Sequence, residues 1–113
     1  MNKELFTTEY NIEKNYMTLY LSGEIDHHSA IALRGEIDKN ITENMPATLI
    51  IELSSVDFMD SSGLGLIMGR YTTMQKIGGN VILRNPGEKV NKILKLAGMD
   101  RILKIEQRKE ASK

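Results

Sequence analysis

The stretch from residue 48 to residue 74, TLIIELSSVDFMDSSGLGLIMGRYTTM, changes its hydrophobic period half-way along, and that change decides the fold. Thr48–Leu53 is a short apolar run rich in β-branched types, which suits a central strand covered on both faces. Past the polar break SSVDFMDSSG, the residues Leu64, Ile67, Met68, Tyr71 and Met74 recur at helical spacing. A buried strand feeding a helix is the repeating unit of an α/β sheet, because parallel strands need a crossover of about a dozen residues.

The flanking sequence repeats the alternation. Upstream, Tyr16–Leu21 predicts a strand that ends at Ser22-Gly23, and Leu5–Ile12 predicts a weaker edge strand joined to it by a hairpin turn at Glu13, Lys14 and Asn15. Ala30, Leu33, Ile37 and Ile41 form a helical stripe, with Ser29 as the expected N-cap and Pro46 as the stop. Downstream, Gly78-Gly79 ends the second helix, Val81–Leu83 is a strand, and Asn85-Pro86-Gly87 is a turn. Val90, Ile93, Leu94 and Ala97 predict a third helix closed by Gly98, and Ile102–Ile105 a last strand. The expected order is β-β-α-β-α-β-α-β, a small α/β domain over residues 1–106 with a mixed sheet and helices mainly on one face. Residues 107–113 read as a polar tail that frays or projects.

Composition bounds what such a domain can do. At 113 residues, about two thirds of the unfolded surface can be buried, enough for one core and too little for two. Fifteen basic residues balance fifteen acidic ones, so no long-range field draws in nucleic acid or an anionic membrane, and no basic run is present. Cysteine is absent, which removes disulfides, thiolate nucleophiles and thiolate metal sites. MNKELFTTEY lacks the apolar run of a signal peptide, and the apolar stretch at residues 47–53 is far too short for a membrane span. A cytoplasmic protein with no direct nucleic-acid or membrane partner is expected.

The chemistry concentrates at Asp60-Ser61-Ser62-Gly63-Leu64-Gly65, between the central strand and the second helix. Ser61 or Ser62 stands at the helix start, where four backbone N–H groups lack intrahelical partners. A hydroxyl N-cap beside an acidic residue is the plain reading. A phosphorylated hydroxyl is the sharper one, since a phosphate there meets orphan N–H groups and the positive end of the helix dipole. Gly63 and Gly65 either keep this surface low for a partner or fit tightly against the neighbouring strand.

The run Phe58-Met59-Asp60-Ser61-Ser62-Gly63-Leu64-Gly65 resembles the signature of the anti-sigma factor antagonists of the STAS domain family. Gly23-Glu24-Ile25-Asp26-His27-His28 is similar to a second family feature, and Gly69-Arg70-Tyr71, Gly78-Gly79 and Leu96-Ala97-Gly98-Met99 also fit. The resemblance spans about Leu5 to Glu106. It implies a switch in which an anti-sigma factor with serine protein kinase activity phosphorylates the second serine of the motif, which falls on Ser62. It also implies that the unphosphorylated form binds the anti-sigma factor and releases the sigma factor, and that a metal-dependent, PP2C-like serine phosphatase restores binding. Asp26, Asp60, Ser61, Ser62, Gly63, Leu64, Gly65, Leu66, Gly69 and Arg70 are the partner-binding residues expected from this reading, with no cofactor and no catalysis. A non-switching scaffold module of a stress-signalling complex is the alternative, and the intact Ser62 favours the switch.

Other readings are weaker. His27 and His28 are adjacent and cannot share a helix face; with Glu24 and Asp26 they lack a metal-site pattern and are expected as surface or capping residues. A triad from Ser62, His28 and Asp60 lacks the GxSxG elbow. The GxGxxxG spacing of Gly63, Gly65 and Gly69 lacks both the dinucleotide fingerprint and the phosphate-loop lysine. Arg70 and Arg84 are expected as solvent-facing charges, with Arg70 also a candidate partner contact. Tyr71 and Met74 are expected in or beside the core; Leu66 and Thr73 are expected on the docking face beside Gly65 and Gly69, and Met59 either there or in the core.

Overall fold

The computed structural model describes residues 6–108. Its elements are β1 (Phe6–Asn11), β2 (Tyr16–Ile25), α1 (His27–Asn44), β3 (Thr48–Met59), α2 (Ser61–Lys76), β4 (Asn80–Arg84), α3 (Glu88–Leu96), a 3₁₀ turn (Met99–Arg101) and β5 (Lys104–Glu106). The five strands lie side by side in chain order, β1 antiparallel to β2 and every later pair parallel. Successive crossovers in such a sheet share one hand, so α1, α2 and α3 all fall on the same face.

The register makes that face apolar. Met17, Leu49 and Val81 stand in one row across β2, β3 and β4, and Leu19, Ile51 and Leu83 in the next. All six are at most 4% exposed. They join Leu33, Ile37 and Ile41 of α1, Ile67 and Met74 of α2, and Val90 and Leu94 of α3 in one continuous core. Each such side chain contributes about 1.5–3 kcal/mol at most, relative to an extended unfolded chain. The opposite face carries Tyr20, Glu52 and Arg84 in one row. There Arg84 Nε donates to Glu52 Oε1 at 2.7 Å, and Asn85 Nδ2 donates to Glu52 Oε2 at 3.1 Å. Burial alone would raise the Glu52 carboxyl, but the bonds from Arg84, Ser54 and Asn85 outweigh it and hold the group below its ordinary range. Arg84 is thus half-buried in an ion pair, where the sequence reading had it facing solvent.

Two strands run further than expected. β2 continues through Gly23 to Ile25, and β3 continues through Ser54, Ser55 and Asp57 to Met59. The two extensions pair with each other, Ser22 with Ser55 and Ile25 with Met59, so backbone bonding overrides the polar interruption. The helix ends follow local chemistry. α1 stops at Met45, which adopts a left-handed φ of 44° before Pro46. Gly98 takes φ 76° just past α3, a conformation glycine adopts without steric cost. The last strand begins at Lys104 rather than Ile102, because Met99–Arg101 closes into the 3₁₀ turn. Gln107 and Arg108 are tied to the turn after β4: Gln107 Nε2 donates to the Pro86 carbonyl, and the Arg108 N–H to Asn85 Oδ1. Leu5 of the expected first strand and residues 109–113 of the expected tail lie outside the described residues.

Candidate functional site: the start of the second helix and the groove beside it

The extended ends of β2 and β3 deliver two helices side by side, and the two helices begin in the same way. Asp26 caps α1: its Oδ1 accepts the Ser29 N–H at 3.0 Å, while Ser29 Oγ accepts the Asp26 N–H at 2.9 Å. This is a capping box with the carboxylate, not Ser29, as N-cap. The Ser29 N–H and the Ser29 hydroxyl, whose Oγ lies 3.1 Å from Asp26 Oδ1, both donate to the Asp26 carboxyl and hold it below its ordinary range.

Asp60 caps α2, where sequence reasoning had Ser61 or Ser62. Its Oδ1 accepts the N–H of Ser62 at 2.8 Å and of Gly63 at 3.3 Å. The carboxylate wins because the Asp60 backbone is extended, and a charged acceptor satisfies two donors at the positive end of the helix. Two consequences follow. The Ser62 hydroxyl is relieved of capping, and the N–H groups of Ser62 and Gly63 are not orphans awaiting a phosphate. A dianion on Ser62 would instead meet a carboxylate already seated two residues before it.

Gly63 is pinned from behind. A Cβ built on it would stand 2.7 Å from Met59 Cβ and 3.1 Å from the Ile25 carbonyl oxygen. Glycine here lets α2 start flush against the ends of β2 and β3, so the tight-fit reading holds at Gly63. Gly65 and Gly69 differ: a Cβ at either would meet nothing within 4 Å. They lie one turn apart and leave a furrow in the outer side of α2.

The other wall of that furrow is α1. His27, Ala30, Ile31 and Arg34 line it at helical spacing, facing Ser62, Gly65, Leu66, Gly69 and Arg70 across a groove of about 360 Å³. The α1 wall is what sequence reasoning missed. The i, i+3, i+4, i+7 spacing of 27, 30, 31 and 34 was its available signal, hidden by the stronger buried stripe on the same helix.

The expected site residues separate by depth. Asp26, Ser61 and Gly65 are exposed, Asp60, Ser62, Leu64 and Gly69 are half-buried, and Gly63, Leu66 and Arg70 are buried. Leu66 and Arg70 therefore do not face solvent as expected; Thr73 is half-buried. Met59 is in the core, as is Met74, and Tyr71 packs against it. Arg70 lies on the Leu66–Met74 stripe at i+4 from each, so the helix itself carries it inward. It is 5% exposed, and Asp38 Oδ1 stands 3.0 Å from its Nε. The contact is a charge pair without an aligned hydrogen bond, and Nη1 has no acceptor among the described residues. Burial lowers the Arg70 pKa; Asp38 opposes that effect and the nearby Arg34 adds to it.

Among the described residues no cluster of three or more His, Asp or Glu side chains could hold a metal ion, and no helix is long and apolar enough to cross a membrane. His27 and His28 pack edge to face with ring centroids 6.3 Å apart at the first turn of α1.

Asp60 caps α2, a serine holds the second position of the helix, and a glycine is pressed onto the ends of two parallel strands. The STAS domain family model matches residues 7–111. This chain belongs to the STAS domain family. The STAS domain is 32% identical to the anti-sigma F factor antagonist of Paenibacillus polymyxa over 86% of this chain and 83% of that protein. The solved structure of the anti-sigma factor antagonist SpoIIAA in its unphosphorylated form superposes with a TM-score of 0.79 at 30% identity, covering 93% of this chain and 89% of that one. The Bacillus cell fate determinant SpoIIAA in the phosphorylated form gives 0.72, also at 30% identity, over 93% of this chain and 92% of that one. The small α/β domain with a mixed sheet expected from the alternating pattern is the fold observed, and the resemblance to STAS domains drawn from the motifs is borne out.

Proposed function

We propose that this STAS domain is an anti-sigma factor antagonist acting in the cytoplasm, a regulatory binding protein rather than an enzyme, switched by phosphorylation of Ser62. The observation that carries the reading is the division of labour between Asp60 and Ser62. Asp60 satisfies the helix start, so the Ser62 hydroxyl is available for modification without loss of the cap. Similarity to anti-sigma factor antagonists, one of them solved with and without phosphate, supports the same assignment.

In this scheme the unphosphorylated domain docks on an anti-sigma factor through the start of α2. Asp26, Asp60, Ser61, Ser62, Leu64, Gly65 and Gly69 present the surface, and Gly63, Leu66 and Arg70 shape it from beneath. The anti-sigma factor, itself a serine kinase, transfers the γ-phosphoryl of ATP to Ser62 Oγ; ADP leaves and the hydroxyl proton passes to a base of the kinase. The product carries about −1.5 to −2 charges beside Asp60. A dianion next to a fixed carboxylate disfavours burial at an interface, and the complex separates. A PP2C-like phosphatase resets the switch by hydrolysis.

Intact-mass analysis after incubation with an anti-sigma factor kinase and ATP tests this, with Ser62→Ala alongside. One added phosphoryl group in the wild type alone is expected. Retained binding with no mass gain in either would mark a non-switching scaffold, and a gain in both would move the site to Ser61.

A further inference from the structure

The groove between α1 and α2 holds a feature that the phosphorylation switch does not use. Arg70 is buried on its wall, Asp38 Oδ1 stands 3.0 Å from its Nε without an aligned hydrogen bond, and neither Nε nor Nη1 has a hydrogen-bond acceptor among the described residues. A buried guanidinium N–H left without an acceptor is costly, because it has lost its water and gained nothing in exchange. Arg34, exposed on the facing wall, brings a second guanidinium close enough to oppose the charge on Arg70. Like charges brought together over an open furrow are the arrangement an anion relieves. Besides the polar side chains of His27 and Ser62, the rest of the lining is apolar or featureless: Ala30, Ile31, Leu66, and the bare backbone at Gly65 and Gly69. Ile31 is 60% exposed at the rim.

We infer that this groove is a binding site for a small aliphatic monocarboxylate, its head between Arg34 and Arg70 and its chain along Ala30, Ile31 and Leu66. Charge selects the class. Arg34 and Arg70 against Asp38 leave one net positive charge, which a single carboxylate neutralises, whereas a phosphate dianion would leave an excess facing Asp38. Gly65 and Gly69 give the space, since any larger residue there would fill the furrow. Ser62 lines the same groove, so the occupant sits against the serine of the switch.

The test is a titration of the purified protein with sodium butyrate, sodium phosphate and sodium chloride at matched ionic strength, followed by ¹H–¹⁵N NMR. It is read at the Arg70 Nε–Hε signal and at the Gly65 and Gly69 amides, and needs no anti-sigma factor. Butyrate is expected to give saturating shifts at all three; Arg34→Gln should weaken it about tenfold or more, as loss of a charged hydrogen bond does. Gly65→Leu, which fills the furrow from an exposed position, should abolish saturation with the fold intact. Phosphate saturating where butyrate does not would overturn the monocarboxylate assignment. Equal, linear shifts with all three salts, or unchanged butyrate binding in both variants, would overturn the site.

Discussion

Asp60 Oδ1 receives the backbone N–H of Ser62 at 2.8 Å, so the residue that fixes the helix start also sets the charge beside the serine. Removing the carboxylate separates these two effects. Asp60→Ala should cost about 1 kcal/mol of stability in urea unfolding, whereas Asp60→Asn, which keeps a capping oxygen, should lie within a few tenths of the wild type. If Ala and Asn prove equally stable, Asp60 is not the cap.

The glycines of α2 should respond in opposite directions. Gly63→Ala forces a methyl group against Met59 Cβ and the Ile25 carbonyl and should destabilise by about 1–3 kcal/mol, despite the better helix propensity of alanine. Gly65→Ala and Gly69→Ala meet nothing and should each stabilise by roughly 0.5–1 kcal/mol. Thermal melts of the three variants decide it, and a uniform sign would contradict the packing described for Gly63.

On the uncovered sheet face, Glu52 carries a pH signature. Its folded pKa is depressed below the ordinary 4.5, so its contribution is complete above that value and is lost as pH falls through the folded value. Glu52→Gln should therefore lower stability by about 2 kcal/mol at pH 7, a difference that shrinks as the pH falls into the acid range. Urea midpoints measured across that range would show the two curves converging in acid; parallel curves would exclude the Glu52–Arg84 pair as the cause.

Phosphorylation of Ser62 should leave the backbone in place, because the cap is held by Asp60 and the core beneath by Gly63 and Met59. Amide shifts are expected within residues 58–66 and along the facing wall of α1, with the rest of the sheet unchanged. Widespread shifts through the core would instead mean that the phosphate refolds the domain.

The order and type of the elements were legible because β3 and α2 differ so plainly in period. Their junctions were not. Serine and aspartate both cap helices, and only the extended backbone at Asp26 and Asp60 tells which does so. Ser54, Ser55 and Asp57 interrupt the apolar run after Leu53, yet pairing with β2 carries the strand on to Met59. Arg70 looked like a surface charge by residue type, and only the burial of Leu66, which the sequence reading had on the docking face, shows that the inward stripe runs through Leu66, Arg70 and Met74. The α1 wall of the groove required tertiary contact, since His27 and Arg34 meet Ser62 and Arg70 only after two crossovers bring the helices together.

The unequal strand lengths carry a last consequence. β3 has 12 residues and β4 only 5, and β4 pairs with β3 solely from Thr48 to Glu52. From Leu53 onward β3 is held by β2 alone among the described strands, a two-stranded lip with Asp60 and Asp26 at its tip. Ladders bonded on one side open at lower free energy than those bonded on both. Amide hydrogens of Ser55–Phe58 should thus exchange well before those of Leu49–Ile51, and the lip can breathe while the base of the sheet stays closed. With the serine mounted where the chain is expected to yield locally, the proposed switch needs no unfolding of the domain for a kinase to reach it.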